Sequence, residues 1–143
     1  VMMDYLDSLG EGPSFYPENP YEKAKVQEII RYLELYVELP ARRLYGDVFF
    51  GKPASDALKA EVKPQLEKGF AALAKIAKYE PYIAGPQISY ADFYFRFSFN
   101  LATLVCRRAL DWNAQGEFEG AKNLMKLMDE RASIQKVLAD QKG

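Results

Sequence analysis

The chain has 143 residues, of which 49% are hydrophobic and 27% are charged, with 19 basic and 20 acidic side chains. This composition is typical of a globular protein with a packed core and excludes a disordered or collagen-like chain. The net charge of −1 and the lack of a long basic run argue against binding to nucleic acid or to an acidic membrane surface. We therefore expect neither partner.

The chain contains no histidine and a single cysteine, Cys106. Serine and cysteine nucleophiles that depend on histidine, and metal sites with histidine ligands, are therefore excluded within this sequence. One cysteine also excludes an intrachain disulfide. Because Cys106 lies in an apolar stretch, we expect it to be a buried core residue, and we assign no metal ligand and no nucleophile.

The most apolar stretch of the chain, residues 90–106, is interrupted by Asp92, Arg96 and Asn100. Ionisable groups at these positions would lie in hydrocarbon, which argues against a membrane span. No basic segment followed by an apolar run and a cleavage site opens the sequence, so no signal peptide is expected. The expected location is the cytoplasm.

Residues 1–9 predict a short helix, because their apolar side chains recur at helical spacing. An isolated helix of this length is unstable in water, so it needs a partner to pack against. Residues 10–20 are rich in glycine and proline, which indicates a linker. The apolar positions of the short helix are Met2, Tyr5, Leu6 and Leu9.

A long helix is predicted to begin after Asn19 and to run to about Tyr45. Asn19 is a suitable N-cap, Pro20 fits the first helical position, and Glu22 is placed to act as a capping partner. Pro40 lacks an amide hydrogen and should bend this helix. Its apolar stripe comprises Val26, Ile30, Leu33, Val37, Ala41 and Leu44.

Residues 46–54 are predicted to be a loop, followed by a second long helix capped by Ser55. This helix should be kinked at Pro64 and should end near Tyr79, since prolines and glycines follow closely. Its apolar stripe comprises Leu58, Val62, Leu66, Phe70, Leu73 and Ile76.

Ser89 and Asp92 have the spacing of a capping box, and we assign both a structural capping role. The helix that follows is apolar on nearly every side, so it should lie at the centre of the domain. Smaller helices are expected near residues 118–128 and 133–139. No convincing period-two alternation indicates a strand, so the predicted fold class is all-α.

Three segments resemble cytosolic glutathione S-transferases of the bacterial type, in the order that the family has them. Ile83–Phe93 resembles the turn and the S/T-x-A-D motif that begin the family's central helix. Arg131–Val137 resembles the closing R-P-S-V-Q-K segment, with Ala132 in place of the usual proline, and Tyr16–Pro20 resembles the entry into the C-terminal domain. Pro86, after the glycine of the turn, is a second departure.

The resemblance implies that residues 19–143 form the glutathione transferase C-terminal helical bundle. Residues 1–18 would then be the last helix and the linker of a thioredoxin-like N-terminal domain. In this family that domain binds glutathione and carries the catalytic Ser, Tyr or Cys, so the resemblance assigns no catalytic residue to this chain. The chain alone is expected to be inactive.

The resemblance also implies glutathione as co-substrate, a hydrophobic electrophile as partner, and a homodimer for the intact protein. Tyr36, Leu39 and Arg43 share one helix face, where the family's helix lines the cleft, and Trp112 lies near the family's co-substrate pocket. These four are the candidate substrate-binding residues, although core packing or solvation also accounts for each alone. The paired arginines 42–43 and 107–108 are weaker candidates for binding an anion.

Three functions fit the resemblance. The helical domain can supply the hydrophobic wall for the co-substrate of a glutathione transferase. It can instead be a non-catalytic interaction module, as in translation factors and aminoacyl-tRNA synthetase complexes, or part of a glutathione-dependent isomerase such as maleylacetoacetate isomerase. Fold alone does not separate these functions.

Overall fold

The computed structural model describes residues 1–141 and is helical apart from its connecting segments, which confirms the predicted all-α class. The α-helices are α1 (Met2–Ser8), α2 (Pro20–Tyr32), α3 (Leu39–Arg42), α4 (Tyr45–Phe50), α5 (Asp56–Ile76), α6 (Tyr90–Tyr94), α7 (Asn100–Leu110), α8 (Glu119–Asp129) and α9 (Ala132–Asp140). Two π-helical segments, Leu33–Glu38 and Phe95–Phe99, join α2 to α3 and α6 to α7, and Ala114–Glu117 is a 3₁₀-helix.

The first long helix begins where the sequence predicts. The Asn19 side chain accepts hydrogen bonds from the amides of Tyr21 (2.9 Å) and Glu22 (3.2 Å), which satisfies two amides that the first helical turn leaves free. Glu22 thus contributes its amide to the cap. The helical path runs through α2, the first π-helical segment and α3, and it ends at Arg42, before the predicted Tyr45.

The irregularity predicted at Pro40 takes the form of the π-helical segment Leu33–Glu38. Proline has no amide hydrogen, so the carbonyl of Tyr36 cannot receive the usual α-helical bond from residue 40. This carbonyl points towards α5, where a Cβ built on Gly69 would lie 2.0 Å from the Tyr36 oxygen. Only glycine allows the two helices to approach this closely.

The segment predicted as the loop 46–54 contains α4, so that prediction is wrong for residues 46–50. The helix is short and ends at Gly51, whose positive φ of 61° suits a glycine after a C-terminus. Asp47 forms a salt bridge of 2.9 Å with Lys59 of α5, which ties α4 to the next helix. The local sequence did not indicate α4, because the helix has only six residues and no side-chain N-cap.

The second long helix, α5, is capped as predicted, with the Ser55 hydroxyl accepting the Leu58 amide at 3.2 Å. It continues through Pro64 and ends at Ile76, before the predicted Tyr79. Tyr79 itself has a positive φ of 56° and therefore cannot extend the helix.

The path of α6, the second π-helical segment and α7 crosses the centre of the domain, as the apolar pattern predicts. Phe95 and Phe99 are fully buried and stack with ring centroids 4.3 Å apart. Phe99 also meets Phe70 of α5 and Phe118, each edge-to-face. The core therefore includes an aromatic cluster between the central helix, α5 and the segment before α8.

A buried carboxylate organises the turn before the central helix. Asp92 Oδ2 accepts the amide (2.7 Å) and the hydroxyl (3.0 Å) of Ser89, and Oδ1 accepts the amide of Ile83 (2.8 Å). Burial raises the pKa of Asp92, and these hydrogen bonds oppose the rise. The bond to Ile83 goes beyond the predicted capping role, because it closes the whole turn onto the helix.

Candidate functional site

The short helix α1 lies beside α2 and α6. A cavity of about 320 Å³ separates them and is lined by Asp4 of α1, Gln27 and Arg31 of α2, and Tyr94 of α6. The segment of residues 1–9 exposes several apolar side chains to solvent. Their exposed fractions are 93% for Val1, 82% for Met2, 62% for Tyr5, 61% for Leu6 and 46% for Leu9.

A polar cluster lies further along the two helical paths that begin with α2 and α6, and we call it the Glu38 cluster. It comprises Glu38, Arg42, Tyr45, Tyr94 and Ser98. The Glu38 carboxylate accepts the Ser98 hydroxyl at 2.6 Å and is bound by Arg42 through Nε at 2.9 Å and through Nη2. The side chain of Glu38 is only 13% exposed, whereas that of Arg42 is 60% exposed. The carboxylate is therefore held rigidly beneath an accessible guanidinium.

Two tyrosine hydroxyls complete the cluster. Burial raises the pKa of Tyr94, and the carboxylates of Glu34 and Glu38 raise it further. Burial and Glu38 likewise raise the pKa of Tyr45, whose hydroxyl has no hydrogen-bond partner within residues 1–141. Both hydroxyls therefore keep their protons at neutral pH, but that of Tyr45 is buried away from solvent and out of reach of an added acceptor.

The Glu38 cluster is suited to binding and orienting a polar group. The guanidinium of Arg42 and the hydroxyl of Tyr94 are the accessible donors, and Glu38 fixes Arg42 by charge-assisted hydrogen bonds. An oxygen that carries negative charge, or gains it during a reaction, would be stabilised by such donors. The ring of Tyr94 adds apolar contact area next to these polar atoms.

Cys106 does not provide a nucleophile. Its side chain is fully buried in α7, and burial raises the pKa of its thiol to about 12. Thiols react as thiolates, so this cysteine is unreactive at neutral pH. The location agrees with the expected core residue.

We predict that Cys106 resists modification by a disulfide reagent such as 5,5′-dithiobis(2-nitrobenzoate) in the folded protein. The reason is the combination of burial and a raised pKa. The measurement is mass spectrometry of the Cys106 peptide after labelling with and without denaturant. Rapid labelling without denaturant would contradict this placement.

Tyr36, Leu39 and Arg43 lie together on the flank of the first long helix that faces α5. Tyr36 and Leu39 are 52% and 55% exposed. Arg43 forms a bidentate ion pair with Glu61 of α5, at 2.8 and 2.9 Å. The Glu38 cluster lies on the other flank, beside α6, so the structure separates these residues from α1. Their contact with a co-substrate stays a prediction.

Trp112 lies apart from the other predicted site residues. Its ring packs edge-to-face on Phe70 at 5.5 Å, and its Nε1 donates to Glu117 at 2.7 Å. The ring thereby fills the join between α7, α5 and the 3₁₀-helix, as a packing anchor does. Arg107 and Arg108 are exposed on α7, and Arg42 belongs to the Glu38 cluster.

Sequence reasoning missed the Glu38 cluster because its members have the spacing of an ordinary solvated face. Glu38 and Arg42 are separated by four residues on one helix, which usually indicates a surface ion pair. Tyr94 and Ser98 have the same spacing on the central helix. The sequence feature that indicates the cluster is the Ser98 hydroxyl in an otherwise apolar segment, since a buried polar group needs a hydrogen-bond partner.

Within residues 1–141, no group of three or more His, Cys, Asp or Glu side chains is arranged to hold a metal ion. No helix of the described part combines the length and apolar character that crossing a membrane requires.

Comparisons with known proteins give one consistent family. The model of the family "Glutathione S-transferase, C-terminal domain" matches residues 11–134. A protein named "Glutathione S-transferase" from Pseudomonas putida is 37% identical over 143 residues, which is 100% of this chain and 65% of the relative. This chain therefore spans slightly less than two thirds of the length of that relative.

The structure of Gtt2 from Saccharomyces cerevisiae has a similar fold. Its TM-score is 0.66 at 20% sequence identity, and the match covers 93% of this chain and 64% of that chain. At this level of identity the similarity concerns the fold alone.

Proposed function

Because the chain belongs to the glutathione S-transferase C-terminal domain family, we propose that it is the helical half of a glutathione transferase. In this proposal a preceding thioredoxin-like domain, which ends with α1 and the linker up to residue 18, binds glutathione and activates its thiol. The helical domain, residues 19–143, forms the wall against which the electrophilic co-substrate lies.

The observation that carries the proposal is the position of α1. This helix docks next to Arg31 and Tyr94 and turns an apolar face outwards. An exposed apolar face of this extent favours a covering partner. If the thioredoxin-like domain covers it, the Glu38 cluster lies on the side of the bundle nearest to that domain. The cluster then borders the cleft between the two domains.

The proposed reaction is addition or substitution at an electrophilic carbon. The sulfur of the glutathione thiolate attacks that carbon and forms the new C–S bond, while the leaving group departs with its electrons or an oxygen takes up the charge. Tyr94 supplies apolar area to the electrophile, and Arg42 with the Tyr94 hydroxyl stabilises the charge that develops. No residue of this chain is the nucleophile.

Arg42 and Arg43 are adjacent in sequence but lie on different flanks, so replacing each in turn tests whether the Glu38 cluster is the substrate wall. Arg42→Gln removes a donor of the Glu38 cluster, whereas Arg43→Gln removes the pair with Glu61 on the other flank. The pair of Arg43 and Glu61 is partly exposed, at 38% and 58%, and such a pair contributes about 0–1 kcal/mol to stability. Glu38 is 13% exposed and keeps the hydrogen bond from Ser98 when Arg42 is replaced. The assay is conjugation of glutathione with 1-chloro-2,4-dinitrobenzene by the full-length protein.

We expect Arg42→Gln to lower kcat/KM for the electrophile about tenfold, as loss of a charge-assisted bond in the transition state predicts. Arg43→Gln should stay within about twofold of the wild type. A larger loss for Arg43→Gln would favour the flank of Tyr36 and Leu39 as the substrate wall. A folded full-length protein without conjugating activity would favour the interaction-module alternative.

The homodimer and the cytoplasmic location are further parts of the proposal, supported by family membership. The first long helix exposes Leu35, Tyr36 and Leu39 by 45%, 52% and 55%. Apolar area of this kind suits a subunit interface as well as a substrate. Sedimentation equilibrium of the full-length protein decides the oligomeric state, and a monomer would contradict the dimer.

A further inference from the structure

Tyr16 of the linker and Tyr90 of the bundle hold α1 by its carboxylates. The Tyr16 hydroxyl donates to Asp4 Oδ1 at 2.8 Å, and the Tyr90 hydroxyl donates to Asp7 Oδ1 at 3.1 Å. Asp4 and Asp7 are separated by three residues, so one face of α1 presents both acceptors to the bundle.

The two tyrosines are themselves locked together. Their ring centroids lie 4.7 Å apart, and the Tyr90 amide donates to the Phe15 carbonyl at 3.2 Å. The ring of Phe15 packs edge-to-face on Tyr90 at 5.5 Å and on Phe93 at 5.2 Å. The linker and the start of the central helix therefore form one rigid aromatic unit that aims both hydroxyls at α1.

We propose that Tyr16 and Tyr90 are positioning residues that clasp α1 and thereby fix the thioredoxin-like domain at a set angle to the helical domain. The hydroxyls bond to carboxylates, so these hydrogen bonds are stronger than neutral ones. The bond from Tyr16 lowers the pKa of Asp4, and burial and Asp4 raise the pKa of Tyr16, so both groups keep the protonation that the clasp requires.

The clasp rests on the proposed function in one respect, the assignment of α1 to the thioredoxin-like domain. The clasp would affect the reaction through the distance between the reacting groups. The thiol would be carried by one domain and the Glu38 cluster by the other, so their separation depends on the angle that the clasp sets. A misplacement of about 1 Å between reacting groups can cost about a hundredfold in rate.

The experiment uses the full-length protein with the double substitution Tyr16→Phe and Tyr90→Phe. Phenylalanine keeps the rings and their packing and removes only the two hydroxyls. The matched control is Tyr21→Phe, because Tyr21 is 73% exposed at the start of α2. The readouts are hydrogen exchange of the backbone amides of residues 2–9 and 90, and KM for each of the two substrates.

We expect the double variant to accelerate exchange at these amides about tenfold or more, as loss of two charge-assisted bonds predicts. KM for the electrophile should rise about threefold or more while KM for glutathione stays unchanged, since the electrophile alone needs both domains in register. A merely structural role would lower the melting temperature without this difference between the two substrates.

Exchange rates equal to those of Tyr21→Phe would overturn the clasp, whatever the activity. A second variant, Asp4→Asn with Asp7→Asn, removes the acceptor charges from the other side and should reproduce the accelerated exchange. Failure of the proposed function has a different signature, because a wild-type protein that does not conjugate glutathione would still show the exchange difference if the clasp is present.

Discussion

Replacement of Gly69 by alanine should destabilise the protein by about 3 kcal/mol or more, the upper range for overpacking a close contact. The added Cβ would lie 2.0 Å from the carbonyl oxygen and 2.7 Å from the carbonyl carbon of Tyr36. These are backbone atoms of the π-helical segment and cannot rotate away, so the two longest helical paths would have to separate. Urea unfolding of the full-length protein measures the change.

Gly46 provides the matched control for this substitution. A Cβ at Gly46 would meet Lys52 at 3.6 Å, which is an ordinary van der Waals distance. Gly46→Ala also replaces a helical glycine, in α4, so it should be neutral or slightly stabilising, by up to about 1 kcal/mol. Similar midpoints for Gly69→Ala and the wild type would show that α5 does not approach Tyr36 as closely as described.

Replacement of Asp92 by alanine should cost about 3 kcal/mol, more than the roughly 0.5–2 kcal/mol of an ordinary helix cap. The substitution leaves two buried amides without their acceptor, those of Ile83 and Ser89, and also the Ser89 hydroxyl. Asp92 and Ser89 are 0% and 1% exposed, so water cannot replace the carboxylate without opening the turn.

The comparison for Asp92 is the cap of α5. Ser55 is exposed and accepts a single amide, that of Leu58. Ser55→Ala should therefore cost about 1 kcal/mol, as is typical of an N-cap. Equal losses for Asp92→Ala and Ser55→Ala in the same urea titration would mean that the bond to Ile83 contributes nothing.

Local signals predicted most of the helical framework. Asn19 and Ser55 cap their helices because their side-chain oxygens reach amides two or three residues ahead, which is a property of the local sequence. The central position of the helix around Phe95 and Phe99 also followed from its composition, since a helix that is apolar on every side must be surrounded.

The π-helical segments and the Glu38 cluster depend on contacts between distant parts of the chain. Pro40 predicts a lost hydrogen bond, but the widened turns also require the space that Gly69 leaves on another helix. Contacts with other helices also decide on which flank of the first long helix Arg42 and Arg43 lie. Arg42 faces the central helix, and its neighbour pairs with Glu61 on α5. Helical spacing alone could not separate these two flanks.

The most direct test of the account is a crystal structure of the full-length protein with a glutathione conjugate that carries an apolar group on sulfur, such as S-hexylglutathione. We predict that the glutathione part lies on the thioredoxin-like domain and that the hexyl chain contacts Tyr94 next to Arg42. A hexyl chain seated on Tyr36 and Leu39, or against Trp112, would contradict the assignment of the Glu38 cluster as the substrate wall.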